Sequence, residues 1–205
     1  MQKRLIAIAL LAVFNVCYAT PSQIIIIRHA DKLLQTNPGP TLSAKGEIRA
    51  INFALYYSQK FGMPDYVFAS NATKETTSIR ELQTVAPLVN MMQQQDPEND
   101  SLGILHPYSS KDYSALATYI LDSSEFDNKK VVICWSHGKI PNLAAKLGVT
   151  DKLDKWPADD FDSVYILQYN HKGDLKNFQI LHQQYPVRFN GTWSDLNAIN
   201  SQRHS

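Results

Sequence analysis

Four isoleucines in a row, Ile24 to Ile27, restrict the fold of this chain more than any other feature. β-branched side chains favour extended backbone, and a run without polar alternation predicts a strand covered on both faces, as in a parallel sheet. Val131-Val132-Ile133-Cys134-Trp135 repeats that signal later in the chain, and Tyr66 to Ala69 and Leu102 to Leu105 read as shorter strands. Helical patterns lie between them. Asn37-Pro38-Gly39-Pro40 marks a loop, after which Ser43 can cap a helix carrying Ile48, Ile51 and Leu55, with Gly62 near its end. Ile79, Leu82, Val85, Ala86 and Val89 form a second helical stripe, which Pro87 is expected to kink or end. Tyr113, Leu116, Ala117 and Ile120 predict a third, and Ile140, Leu143, Ala144 and Leu147 a fourth, closed by Gly148. Ser163 to Tyr169 and Asn177 to His182 flank the turn His171-Lys172-Gly173-Asp174 and predict a hairpin. Alternating strands and amphipathic helices predict an α/β three-layer sandwich: a mostly parallel central sheet flanked by helices, with an antiparallel edge strand.

The first residues predict export. Lys3 and Arg4 precede the apolar run Leu5 to Val13, and Cys17-Tyr18-Ala19 offers small residues for cleavage before Thr20. The apolar run is shorter than the ~20 residues a bilayer span needs, so a cleaved signal is expected rather than a membrane anchor. The mature chain would be a single domain over residues 20–205, periplasmic or secreted, with no stable membrane insertion. It would keep 18 basic and 19 acidic residues, net −1, which argues against a nucleic-acid partner. Its one remaining cysteine, Cys134, lies inside an apolar strand and reads as a buried structural thiol.

In parallel sheets ligands gather at the carboxyl ends of the strands. The first strand exits into Arg28-His29-Ala30 and the Val131 strand into Ser136-His137-Gly138. The second strand exits toward a loop and the helix bearing Arg80. Two histidines and two arginines from three chain segments can therefore share one crevice. Guanidinium forks match the oxygens of a phosphate dianion, and a neutral imidazole can attack phosphorus to hold the phosphoryl group covalently. Backbone amides at the helix start after Gly138 could add anion stabilisation. No metal or other cofactor is required if Arg and His carry the charge. Arg28 and His29 would point to opposite faces of a regular strand, so the backbone must leave strand geometry between them.

With these residues in view, the chain resembles the histidine phosphatase superfamily, which includes phosphoglycerate mutases, acid phosphatases and bacterial phosphohistidine phosphatases. Ile24 to Ala30 resembles its opening strand and Arg-His-Gly signature, with Ala30 in place of Gly. Thr41-Leu42-Ser43-Ala44-Lys45-Gly46 resembles its Leu-Thr-x-x-Gly motif, and Arg80-Glu81-Leu82-Gln83-Thr84 its Arg-x-x-Gln-Thr helix. Val131 to Gly138 resembles the strand with the second His. The resemblance implies that His29 is the phosphate-accepting nucleophile, its other ring nitrogen oriented by a backbone carbonyl. Arg28, Arg80 and His137 would bind the phosphate.

The resemblance leaves the proton donor open. Some branches place an acid directly after the second His, where this chain has Gly138-Lys139. Others draw it from the preceding loop, which offers His106 and Asp112, the latter also suited to a helix N-terminus. Asp31, Lys32 and Lys74 read as substrate contacts or solvated charges. Trp156 to Asp162 reads as a folded connection packing Trp156 and Phe161, or as pocket lining. His171, His182 and His204 lack metal-ligand spacing and read as turn, strand and tail residues. Asn71-Ala72-Thr73 and Asn190-Gly191-Thr192 are glycosylation-type sequons of little weight, and the tail from Gln184 has no readable role. Two functions fit: a metal-independent phosphatase acting on a phosphorylated small molecule or phosphohistidine protein, or a phosphate-ligand binding module with little or no turnover.

Overall fold

The computed structural model describes residues 20–33 and 39–183. The export signal, the Asn37-Pro38 half of the first loop, the second sequon, His204 and the tail from 184 lie outside the described residues. β1 (Gln23–Arg28), β2 (Tyr66–Ala69), β3 (Ile104–Leu105) and β4 (Lys130–Trp135) form the parallel part of one sheet, in the order β3-β2-β4-β1. β5 (Ser163–Tyr169) pairs antiparallel with β1, and β6 (Leu175–His182) antiparallel with β5. The strand that opposes the others is therefore β5, one place in from the edge. The edge strand β6 runs parallel to β1. The hairpin forces this, because β6 reverses β5, and its turn uses Gly173 at φ 88°.

The isoleucine run is buried because both faces of the sheet are covered. Ile25 and Ile27 pack with Val67, Val132 and Val164 beneath α1 (Ala44–Phe61) and α2 (Arg80–Gln95). Ile24 and Ile26 face the other way, onto Phe68, Ile133 and Tyr165 and the helices α3 (Tyr113–Asp122) and α4 (Ile140–Lys146). At about 1.5–3 kcal/mol for each buried isoleucine, a strand polar on one face would forfeit half of this stabilisation.

Ser43 caps α1, its hydroxyl accepting from the Gly46 amide at 3.1 Å, although Ile48 stays exposed. α2 continues past Pro87 to Gln95, so of the two expected effects the proline does not end the helix. The missing hydrogen bond costs about 3 kcal/mol, which the buried side chains Val85, Leu88, Met91 and Met92 offset. The third strand shrinks to two residues. α4 closes as expected on Gly148, at φ 102°, with the Gly148 and Val149 amides donating back to Ala145 and Ala144.

Register aligns the strand exits. Arg28 sits opposite Trp135, and Ala69 opposite Cys134, so β1, β2 and β4 end side by side. β5 runs the other way, so its first residues, with Val164 opposite Ile27, begin at this same end.

Candidate active site

β1 stops at Arg28, so His29 lies beyond the strand. α2 holds the chain there: the Ala30 amide donates to Thr84 Oγ1 at 2.8 Å, and the Thr84 hydroxyl donates to the Arg80 carbonyl at 2.7 Å. Ala30 is buried with Leu42 and Ala50, so its methyl group has apolar neighbours where the family signature has glycine. The other members of the Arg-x-x-Gln-Thr motif are fasteners too. Gln83 Oε1 accepts from the Leu42 amide at 2.9 Å, and the Ile79 amide just before the motif donates to Pro40.

His29 is 5% exposed, and its Nδ1 lies 2.7 Å from the Ala30 carbonyl oxygen. A carbonyl only accepts, so Nδ1 carries the proton and Nε2 keeps a lone pair. Burial lowers the His29 pKa to about 3 against the pull of the Ala30 hydrogen bond, and Arg28, Arg80 and His137 lower it further. All three candidate partners thus act electrostatically on His29, and the ring is neutral at any ordinary pH. An unfolded His29 titrates near 6.5. The stabilisation from keeping it neutral is complete above that pH and is lost as the pH falls toward 3, on the order of 4–5 kcal/mol in all. Urea unfolding of wild type and His29→Asn at pH 7, 5.5 and 4 is expected to show the steeper acid loss in wild type. Parallel acid limbs would refute the neutral assignment.

Arg28 is 4% exposed, and one nitrogen of its guanidinium, Nη1, donates to three carbonyls: Pro157 (3.3 Å), Ala158 (2.7 Å) and Asp160 (3.1 Å). Burial lowers its pKa to about 10 although Asp160, Asp31, Glu81 and Asp159 pull upward, so it stays charged at neutral pH. Arg80 is tied to the chain entering α1: Nε donates to the Thr41 carbonyl at 3.1 Å and Nη2 to the Gly39 carbonyl, while Nη1 meets Ser78 Oγ at 3.3 Å.

His137 lies in the turn between β4 and α4, half-buried, its pKa lowered by burial and by Arg28, Lys32 and Lys155. Lys32 therefore stands near the crevice. The helix start beside His137 is a poorer anion site than expected. The Lys139 and Ile140 amides both donate to the Ser136 carbonyl, and Pro141 has no N–H.

The two proton-donor candidates lie on the loop after β3. The Asp112 carboxylate accepts from the Ser109 amide (3.0 Å) and hydroxyl (2.6 Å) in a capping box, the role its helix-terminal position suggested. His106 is exposed on the same loop, which is stitched to the exit of β2 by the Asn71 amide donating to the Tyr108 carbonyl at 2.7 Å. Lys74 is exposed and lines a cavity of about 240 Å³ with Asn71, Ser109 and Lys111.

Asp31 is neither solvated nor positioned by solvent alone. It is buried and paired with Arg49 at 2.5 Å and Lys45 at 3.1 Å. The Trp156 to Asp162 segment packs Trp156 as expected and also reaches the site, with Phe161 stacked 4.0 Å from the Arg28 guanidinium carbon. Sequence reasoning admitted pocket lining there but missed the carbonyl contacts. The only local signal was an aromatic and acidic stretch leading into a strand.

The fold has solved counterparts. The protein histidine phosphatase SixA complexed with tungstate matches at TM-score 0.52 and 16% identity, over 80% of this chain and 97% of that one. The chain has the histidine phosphatase fold. The SixA structure from Nakamurella multipartitia matches at TM-score 0.50 and 14% identity, over 79% of this chain and 96% of that one. No family model matches the sequence, and no curated protein matches it either. The sequence resemblance and the architecture thus agree on one fold.

Proposed function

We propose that this protein is an exported, metal-independent phosphatase that works through a covalent phosphohistidine on His29. One observation carries the reading: a buried, neutral imidazole, its Nδ1 held by the Ala30 carbonyl, within electrostatic reach of two arginines and a second histidine. In the first step His29 Nε2 forms a bond to phosphorus as the bond to the leaving atom breaks (an oxygen in a monoester, a ring nitrogen in phosphohistidine), and the electron pair departs with that atom. Water then attacks the same phosphorus as the bond to Nε2 breaks, its protons leave with the phosphate, and His29 returns to the neutral form. Arg28, Arg80 and His137 offset the charge on the phosphoryl oxygens throughout. The substrate class is a phosphate monoester or a phosphohistidine protein.

The test is hydrolysis of p-nitrophenyl phosphate by the mature chain with a chelator present, together with rapid mixing against a labelled substrate. A burst of acid-labile, alkali-stable phosphoprotein is expected. Full loss of activity on metal removal, or turnover without that species, would refute the mechanism.

A second reading, a phosphate-binding module with little turnover, draws on the missing acid: none follows His137, and Asp112 is engaged as a cap. The leaving group separates the two. A phosphatase short of an acid turns over p-nitrophenyl phosphate and phosphohistidine peptides but is slow on alkyl phosphates, whereas a binding module turns over none of them. His106→Ala and Asp112→Asn are informative on alkyl substrates, where loss of the true donor is expected to cost about 10²-fold or more.

A further inference from the structure

We infer that the segment from Trp156 to Phe161 is a positioning element of the anion site, fixing Arg28 so that its Nε edge faces the oxyanion. The inference rests on the phosphate-pocket reading above. Three features of Arg28 carry it. Its Nη1 donors are consumed by the Pro157, Ala158 and Asp160 carbonyls. One guanidinium face is covered by the Phe161 ring, 4.0 Å away, and that ring also stands 6.0 Å from the His29 ring. Its Nε is buried without a hydrogen-bond partner among the described residues.

A buried charged donor left unpaired costs more than a made hydrogen bond returns. The Nε position therefore suits an acceptor that arrives with the substrate. An arginine held by Nη1 and one face keeps the Nε and Nη2 edge, whose two parallel N–H groups match two oxygens of a tetrahedral oxyanion.

The segment is itself pinned at several points. Trp156 is 2% exposed, stacks 4.8 Å from Tyr165 and donates its indole N–H to the Asp160 carbonyl at 3.0 Å. The Asp160 carboxylate accepts from the Asp162 amide (2.9 Å), the Ser163 amide (2.9 Å) and the Ser163 hydroxyl (2.5 Å). Asp162 pairs with Arg49, the same arginine that holds Asp31, two residues past His29. One α1 side chain thus ties the residue that directly follows the segment to the stretch just past His29.

The experiment compares wild type with Phe161→Ala, Phe161→Leu and Phe161→Tyr in the mature chain. It reads tungstate affinity by calorimetry, the Arg28 Nε–H resonance by NMR, aryl phosphate kinetics and thermal unfolding. The expected result is tungstate binding weakened about tenfold in the Ala and Leu variants and within about twofold of wild type in Tyr, which keeps the aromatic face. In wild type the Arg28 Nε–H signal moves on adding tungstate, and in the Leu variant that response is diminished or lost. If the Ala variant does not fold, Leu against Tyr decides.

Unchanged tungstate affinity in a folded Leu variant would overturn the positioning role while leaving the phosphatase reading intact. Tungstate binding that depends on Phe161, in a wild type without turnover, would leave the positioning role standing and remove the phosphatase reading. Wild type that neither binds tungstate nor turns over overturns both.

Discussion

His29→Ala is expected to lower the rate of p-nitrophenyl phosphate hydrolysis by at least about 10³-fold and to abolish the phosphoprotein intermediate. In the proposed mechanism His29 alone accepts the phosphoryl group while Arg28, Arg80 and His137 bind the anion, so tungstate affinity should fall far less than turnover does. The p-nitrophenolate leaving group needs no protonation, so an absent general acid does not mask the effect. His29→Gln keeps a polar group of similar reach but no phosphorus-attacking lone pair, and is expected to be as inactive as alanine. Activity above about a tenth of wild type in either variant, with burst kinetics intact, would mean that another residue accepts the phosphoryl group.

Gly46→Ala is expected to destabilise the fold by about 3 kcal/mol or more and to impair turnover in whatever folded protein remains. A Cβ at Gly46 would lie 2.1 Å from the Asp31 carbonyl oxygen, 3.0 Å from its carbonyl carbon and 3.1 Å from its nitrogen. All three are backbone atoms, so no rotamer change relieves the clash. That carbonyl is also held by the Ser43 amide at 3.0 Å and the Ser43 hydroxyl at 3.1 Å, which fixes the start of α1 against it. Any retreat of Asp31 moves the peptide after Ala30, whose own carbonyl orients His29. Thermal and urea unfolding measure the first effect, and kcat for p-nitrophenyl phosphate the second. A variant unfolding within a degree or two of wild type would show that the α1 start can slide away at little cost.

The two substitutions bear on different parts of what the sequence made legible. The buried strands were visible because periodicity is local: four isoleucines without alternation demand cover on both faces wherever they sit. The motif helix was visible as spacing, but not its division of labour. Only the folded chain shows Arg80 tied to the loop before α1, Gln83 gripping Leu42 and Thr84 gripping Ala30. A related reason explains why Pro87 does not end α2. A residue's own preference is set against the burial of its neighbours, and the sheet beneath α2 supplies that burial.

By itself, then, the sequence determined the layered α/β architecture and the strand ends from which His29 and His137 emerge. Only the tertiary structure decided which donors and which face of Arg28 are taken up by the chain, and why Asp31 is buried. The Arg28 contacts depend on β5 running against β1, which returns residues 157–161 to the carboxyl end of the sheet, whereas Asp31 is covered by α1, whose Lys45 and Arg49 pair with it. Strand direction is set by pairing between residues far apart in the chain. The contacts it creates here are to backbone carbonyls, which every residue possesses and no sequence pattern distinguishes.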